Sequence, residues 1–230
     1  PAPWKAQQVN IKTVVIKEGV TSIGNSAFRE CTSLERVQLP ESVTVIETYA
    51  FGECSSLKNI VLPANVSSIG SFAFFGCSAL TKMDIPAGVT TIEAVTFGNC
   101  SALMRVTLPG SITGIGQEAF AYCSSLTEIS LPSGVTSIGK HAFSGCGYLS
   151  NITFWGDVPV FGEDVFQGVS ATAYYPANNT TWTADVKQNY GGNITWVSTH
   201  IHTFESVVTP PTCTEQGYTT YTCTECGRVK

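Results

Sequence analysis

The stretch CTSLERVQLPESVTVIETYAFGEC, residues 31–54, opens and closes on a cysteine, and the 23-residue step from Cys31 to Cys54 recurs. Cys77, Cys100, Cys123 and Cys146 follow at the same interval without insertion. Phenylalanine keeps step at Phe28, Phe51, Phe74, Phe97, Phe120, Phe143 and Phe166. Leucine does so from Leu34 to Leu149, and isoleucine from Ile23 to Ile138. A proline returns at Pro40, Pro63, Pro86, Pro109 and Pro132. Independent columns in one register define a repeat. Its unit is V-T-x-I-G-x-x-A-F-x-x-C-S-x-L-x-x-V-x-L-P-x-x.

From Arg36 to Leu39, apolar and polar residues alternate with period two, which predicts a half-buried strand with Val37 and Leu39 inward and Arg36 and Gln38 outward. Pro40 closes it, since proline cannot donate to a ladder. Val43-Thr44-Val45-Ile46 predicts a second short extended piece. The spacing of Ala50, Phe51 and Cys54 then suggests one helical or 3-10 turn. One unit is thus one coil, too small to bury its own Leu, Ile and Phe; stacking buries them in columns and pairs the strands in parallel. At about 4.8 Å per rung, seven rungs make a rod of order 30–35 Å. The fold class expected is an α/β-type, mostly-β repeat solenoid with a parallel sheet, short 3-10 or helical turns and a C-terminal cap. Gly24, Gly70, Gly116 and Gly139 mark a tight corner, although Glu47 and Glu93 occupy it in two coils. The ladder cysteines read as small buried hydrophobes, because side chains pointing the same way resist disulfide geometry.

Composition narrows the function. Charged residues make up only 13% of the 230-residue chain and the net charge is −5, with no basic run, which speaks against nucleic acid and anionic membrane as partners. No apolar stretch approaches the roughly 20 residues of a transmembrane helix. No signal peptide is present; a chain running from Pro1 to Lys230 reads as a segment of a longer product.

The A-F-x-x-C-x-x-L-x-x-V-x-L-P unit preceded by V-T-x-I-G closely resembles the BspA-like (Treponema-type) leucine-rich repeat, over roughly residues 11–169. The resemblance implies a right-handed leucine-rich-repeat superhelix on bacterial surfaces or secreted from them. It further implies binding to proteins, host proteins and other cells included, without catalysis and without a cofactor in the solenoid.

The ends depart from the unit. Residues 1–10 read as a lead-in, and the first rung, with Val14 and Ile16, lacks its own Phe-Cys half. After Cys146, Trp155 replaces the proline and Val169 the cysteine. Ala173 and Tyr175 fit an inward strand pair only if two residues are deleted. Residues 170–199 are expected to cap the stack with aromatic side chains, and residues 200–230 form a Cys/His-rich module. There His202, Cys213, Cys223 and Cys226, spaced H-x10-C-x9-C-x2-C, have the donor set of a structural zinc site. The segment also resembles a short cysteine module of bacterial surface proteins. A disulfide from Cys213 to Cys223 or Cys226, and an unliganded segment, stand as alternatives.

Candidate binding residues fall on two outer columns. On the strand face, Arg36, Lys82, Asp84 and Arg105 are the charged candidates, in columns that also hold Glu128, with Lys82, Asp84 and Arg105 on adjacent rungs. Beside each Ala-Phe, Tyr49, Phe72, Phe75 and Val95 are expected to make an exposed apolar cluster suited to protein contact or local packing between rungs. Two further functions follow from these columns: carbohydrate binding, with Tyr49, Phe72 or Tyr122 stacking on sugars, and a polysaccharide lyase using Lys82 or Arg105. A lyase base needs burial that an open sheet face does not give. His141, the one histidine within the repeats, should point outward, away from the ladder cysteines, with no nucleophile beside it.

Overall fold

The computed structural model describes residues 4–199, 204–209 and 218–223. The chain winds through β1 (Thr13–Val15), β2 (Ser22–Ile23), β3 (Arg36–Gln38), β4 (Val45–Ile46), β5 (Asn59–Ile60), β6 (Ser68–Ile69), β7 (Lys82–Asp84) and β8 (Thr91–Ile92). It continues through β9 (Arg105–Thr107), β10 (Gly114–Ile115), β11 (Glu128–Leu131), β12 (Ser137–Ile138), β13 (Asn151–Phe154), β14 (Val160–Phe161), β15 (Ser170–Pro176) and β16 (Asn193–Thr199). The odd-numbered strands up to β15, then β16, line one side of the stack in parallel, and the even-numbered strands from β2 to β14 line a second. Register follows the sequence period: Arg36 pairs with Asn59, and Lys82 with Arg105. The strand side is hydrogen-bonded in three blocks that abut at β5–β7 and β9–β11.

The repeated side chains form continuous columns inside. Phe51, Phe74, Phe97, Phe120, Phe143 and Phe166 are fully buried. Their rings stack from coil to coil at 5.4–5.9 Å between centroids, nearly parallel. Each such pair adds about 0.5–1.5 kcal/mol beyond its burial. The six ladder cysteines are buried and free. Five of them, from Cys54 to Cys146, donate Sγ–H to the carbonyl of a phenylalanine in the preceding coil at 3.1–3.2 Å, as Cys100 does to Phe74.

The third side of each coil is neither helical nor 3-10, contrary to the spacing-based expectation. Two residues per coil take left-handed φ. One column is Ser26, Tyr49, Phe72, Val95, Glu118, His141 and Asp164, at φ between 49° and 60°. The other contains Glu30, Glu53, Asn99 and Tyr122, with Gly76, Gly145 and Gly168 in the remaining coils. These reversals make the amides alternate. The N–H groups of Ala27, Arg29 and Cys31 bond three residues back within their coil, whereas those of Ser26, Phe28 and Glu30 bond Thr48, Ala50 and Gly52 of the next. A helix would keep every amide for itself; this turn gives every second one to its neighbour. A non-glycine residue at such φ costs about 1–2 kcal/mol, set against an inter-coil hydrogen bond and a buried phenylalanine.

The corner glycine has a steric cause. A Cβ on Gly139 would lie 2.5 Å from the Gln117 nitrogen of the coil below. At the exceptional Glu47, the side chain turns back over the first coil, where its carboxylate accepts from Ser22 Oγ and the Asn25 N–H.

Both ends are closed by aromatics. The N-terminal lead-in contains a 3-10 helix, Lys5–Asn10, that the sequence pattern does not reveal. Trp4 stacks on Phe28 at 5.3 Å and donates Nε1–H to the Ala27 carbonyl, supplying the ring the first coil lacks. At the other end, β13 pairs with β15 in the register Asn151 to Thr172, an offset of 21 residues, which is the expected two-residue deletion. The 23-residue offset returns between β15 and β16. Trp182 is buried against Phe154, and Tyr190 stacks on Phe161 at 4.2 Å. Beyond the cap, β17 (Phe204–Thr209) and β18 (Tyr218–Cys223) form an antiparallel hairpin. His202, Cys213 and Cys226 of the expected zinc set lie outside the described residues; the backbone of Cys223 pairs opposite Phe204.

Burial raises the thiol pKa along the ladder, with that of Cys146 pushed up to about 12 and Cys77, Cys100 and Cys123 well above their ordinary value. A raised pKa leaves the neutral thiol at pH 8, and the thiolate is the reactive form. With Ellman's reagent at pH 8, the six ladder thiols of the native chain should therefore stay unreactive and appear together on unfolding in guanidinium. Rapid labelling of more than the three C-terminal cysteines in native protein contradicts this packing.

Candidate interaction surface

Outward side chains on the strand side stand in two columns fixed by the pleat. Arg36, Asn59, Lys82, Arg105, Glu128 and Asn151 form one; Gln38, Val61, Asp84, Thr107, Ser130 and Thr153 form the other. All are exposed except the half-buried Thr153. The structure places Lys82 directly beside Arg105, and Asp84 beside Thr107, as the period implies. Among the described residues, the ion pairs are Arg29 with Glu30 and Glu53, and Lys140 with Glu163; none links Lys82, Asp84 and Arg105. Three shallow depressions lie along this face. One of about 610 Å³ surrounds Arg36, Gln38 and Lys58, a smaller one borders Lys82 and Asp84, and one of about 290 Å³ lies among Arg105, Glu128 and Asn151.

The apolar cluster expected on the turn side is present but already occupied by itself. Tyr49, Phe72, Phe75 and Val95 are half-buried rather than exposed. Tyr49 stacks on Phe72 at 4.5 Å, and Phe75 meets Phe72 edge-on at 5.8 Å. The Arg29 guanidinium covers the open face of Tyr49 at 4.6 Å while Nη2 donates to Glu53 at 2.9 Å. Small residues receive these rings: a Cβ on Gly52 would lie 2.8 Å from Tyr49. The left-handed backbone aims Tyr49 and Phe72 along the stack, a direction that the repeat pattern alone does not disclose.

Tyr122 remains 58% exposed, its ring lying over Gly145. His141 is half-buried in the left-handed column, and the nearby Ser144 hydroxyl donates to Gln167 Oε1 instead of to the imidazole. Among the described residues, no hydrogen bond joins a nucleophile to His141 Nδ1, which is buried without a partner. Among the described residues, no group of three or more His, Cys, Asp or Glu is placed to hold a metal ion. No helix among them is long and apolar enough to cross a membrane.

One outward aromatic is not marked as a binding residue by the repeat pattern. Trp155 follows β13 in the proline column, is 57% exposed, and continues the outward parity of Asn151 and Thr153. Its sequence signal was the loss of proline, which reads first as decay of the repeat.

Because the turn-side rings pack on one another, Phe72→Ala should lower the unfolding free energy by about 1–2 kcal/mol, measured by urea denaturation. An unchanged midpoint would show that these rings contribute no packing between coils.

The model of the BspA type leucine rich repeat region matches the chain in 6 copies, over residues 6–66 and 44–173. Among solved structures, a leucine rich repeat protein of Treponema pallidum is 35% identical with a TM-score of 0.64, over 68% of this chain and 76% of that one. A leucine-rich repeat protein from Bacteroides ovatus is 28% identical with a TM-score of 0.44, over 81% of this chain and 66% of that one. A leucine rich cell surface protein from Faecalibacterium prausnitzii is 27% identical with a TM-score of 0.36, over 81% and 60%. No curated protein matches the chain. The unbroken 23-residue period, the stacked phenylalanine and cysteine columns and the six matched copies together make this chain a member of the BspA-type leucine-rich-repeat family.

Proposed function

We propose that this chain is a non-catalytic module, secreted or displayed on a bacterial surface, that adheres to a host or cell-surface protein through its strand face. The family and the solenoid support a protein-interaction scaffold. The observation that carries the assignment to this face is the state of its charges. Arg36, Lys82, Asp84 and Arg105 are exposed on rigid rungs and are not consumed by ion pairs with one another, whereas Arg29 and Lys140 elsewhere have carboxylate partners. A backbone already ordered in rungs adds no main-chain ordering cost on association, and each Lys or Arg immobilised there costs about 0.5–1.5 kcal/mol. Charges left unpaired on a fixed lattice favour a partner of complementary pattern, steering encounter and fixing register. The turn side is the weaker candidate, since its aromatics are engaged internally. Lys82 and Arg105 lack the burial that a lyase base requires.

The test is biolayer interferometry of the whole chain against a panel of purified extracellular-matrix and cell-surface proteins. A partner should bind, and the double reversal Arg36→Glu with Lys82→Glu should weaken it at least tenfold and flatten its salt dependence, with an unchanged melting temperature. Equal binding by the reversed variant would remove the strand face from the account.

A further inference from the structure

Trp155 stands where five preceding coils carry Pro40, Pro63, Pro86, Pro109 and Pro132. The substitution has two structural results. The Trp155 backbone N–H, which proline would lack, donates to Leu131 O at 3.1 Å and lengthens the strand pairing. The side chain leans across the neighbouring rung, where Nε1–H donates to Ser130 Oγ at 2.7 Å. The indole's single polar atom is thereby satisfied within the protein, yet the ring stays 57% exposed. By contrast, Trp182 is buried in the cap, and Tyr49 and Phe72 stack on each other. Trp155 is a pinned, flat aromatic plate; the exposed Val15 and Val61 of the same face are aliphatic and lie toward the opposite end of the stack.

What borders the plate defines the ligand. Ser130 also lines the depression of about 290 Å³, together with Arg105, Thr107, Glu128, Asn151 and Thr153. These residues offer a guanidinium, a carboxylate, an amide and three hydroxyls, at rungs about 4.8 Å apart. Arg105 and Glu128 are on adjacent rungs and leave the depression without net charge. A protein anchor residue usually sits in an apolar, water-excluded pocket, which this is not. A pyranose has the matching chemistry: a C–H face that packs on an aromatic plate, and a rim of hydroxyls that need planar donors and acceptors. We infer that the strand face around β9, β11 and β13 is a binding site for neutral polysaccharide, with one sugar ring stacked on Trp155 and the hydroxyls of the neighbouring sugar, in the adjoining depression, held by Glu128, Asn151 and Arg105. The sugar-stacking ring is then Trp155 and not the half-buried Tyr49 and Phe72, which stack on each other, nor Tyr122, which is 58% exposed but lies on the turn side over Gly145.

The experiment is affinity electrophoresis of the whole chain in native gels containing soluble mannan, dextran, xylan, galactan or β-1,3-glucan. At least one polysaccharide should retard the chain. Trp155→Pro, which restores the residue of the preceding coils, should lose that retardation at least tenfold while keeping the melting temperature within a few degrees. Trp155→Ala serves the same purpose if the proline variant does not fold. Asn151→Ala should weaken retardation several-fold, and Tyr148→Ala, at an aromatic 74% exposed elsewhere on the coil, should leave it unchanged. No retardation by any of the five polysaccharides, full retardation of both Trp155 variants, or equal loss with Tyr148→Ala overturns the assignment. Reversal of Arg36 and Lys82 leaves Trp155 and its depression intact, so failure here is distinguishable from failure of the protein-binding reading.

Discussion

Every second amide on the turn side of a coil has no partner within that coil. The N–H groups of Phe51, Phe74, Phe97, Phe120 and Phe143 bond carbonyls of the following coil, and the intervening amides close turns at home. A coil standing alone would leave these donors, the strand amides and a large apolar interior unsatisfied, and the cost of a buried unpaired amide is about 1–3 kcal/mol. The left-handed residues, the corner glycines and the aromatic lids all follow from serving a neighbour. They permit the alternation, allow the close approach of backbones, and complete the end coils that have one neighbour fewer.

The same constraint divides the surface. On the turn side, the left-handed backbone lays side chains along the stack, so variable residues such as Tyr49 and Phe72 become mortar between coils. On the strand side, the pleat points them straight out; among the described residues Lys82, Asp84 and Arg105 make no ion pair with one another, and Trp155 reaches across to Ser130 on the neighbouring rung. Exposed charge therefore gathers on the strand face around Lys82 and Asp84, and a pinned indole stands there at Trp155. The two halves of that face differ in character, the first charged and the second polar with one aromatic plate.

Much of this was legible in the sequence. A period held by Phe, Cys, Leu and Ile in register specifies the coil and its buried columns, and period-two alternation specifies which strand residues face water. The two-residue deletion before β15 is legible because Ala173 and Tyr175 fit the inward pair of Ile152 and Phe154 only at an offset of 21 instead of 23. The spacing does not distinguish a helical turn from chained turns with left-handed residues, since both give three- and four-residue intervals, and Tyr49, Phe72 and Val95 are not residues that announce such backbone. Trp4 gave no periodic signal because a cap occurs once. Tyr49 and Phe72 were correctly placed side by side, but whether two adjacent rings face solvent or each other depends on backbone direction, which the pattern does not contain.

Native-state hydrogen exchange tests the sharing of amides between coils most directly. The account predicts that the inter-coil donors Phe74, Phe97 and Phe120 are protected as strongly as the intra-coil donors Cys77, Cys100 and Cys123, and that the end coils exchange first. Fast exchange at the three phenylalanine amides, with the cysteine amides still protected, would mean that each coil stands on its own hydrogen bonds and would contradict it.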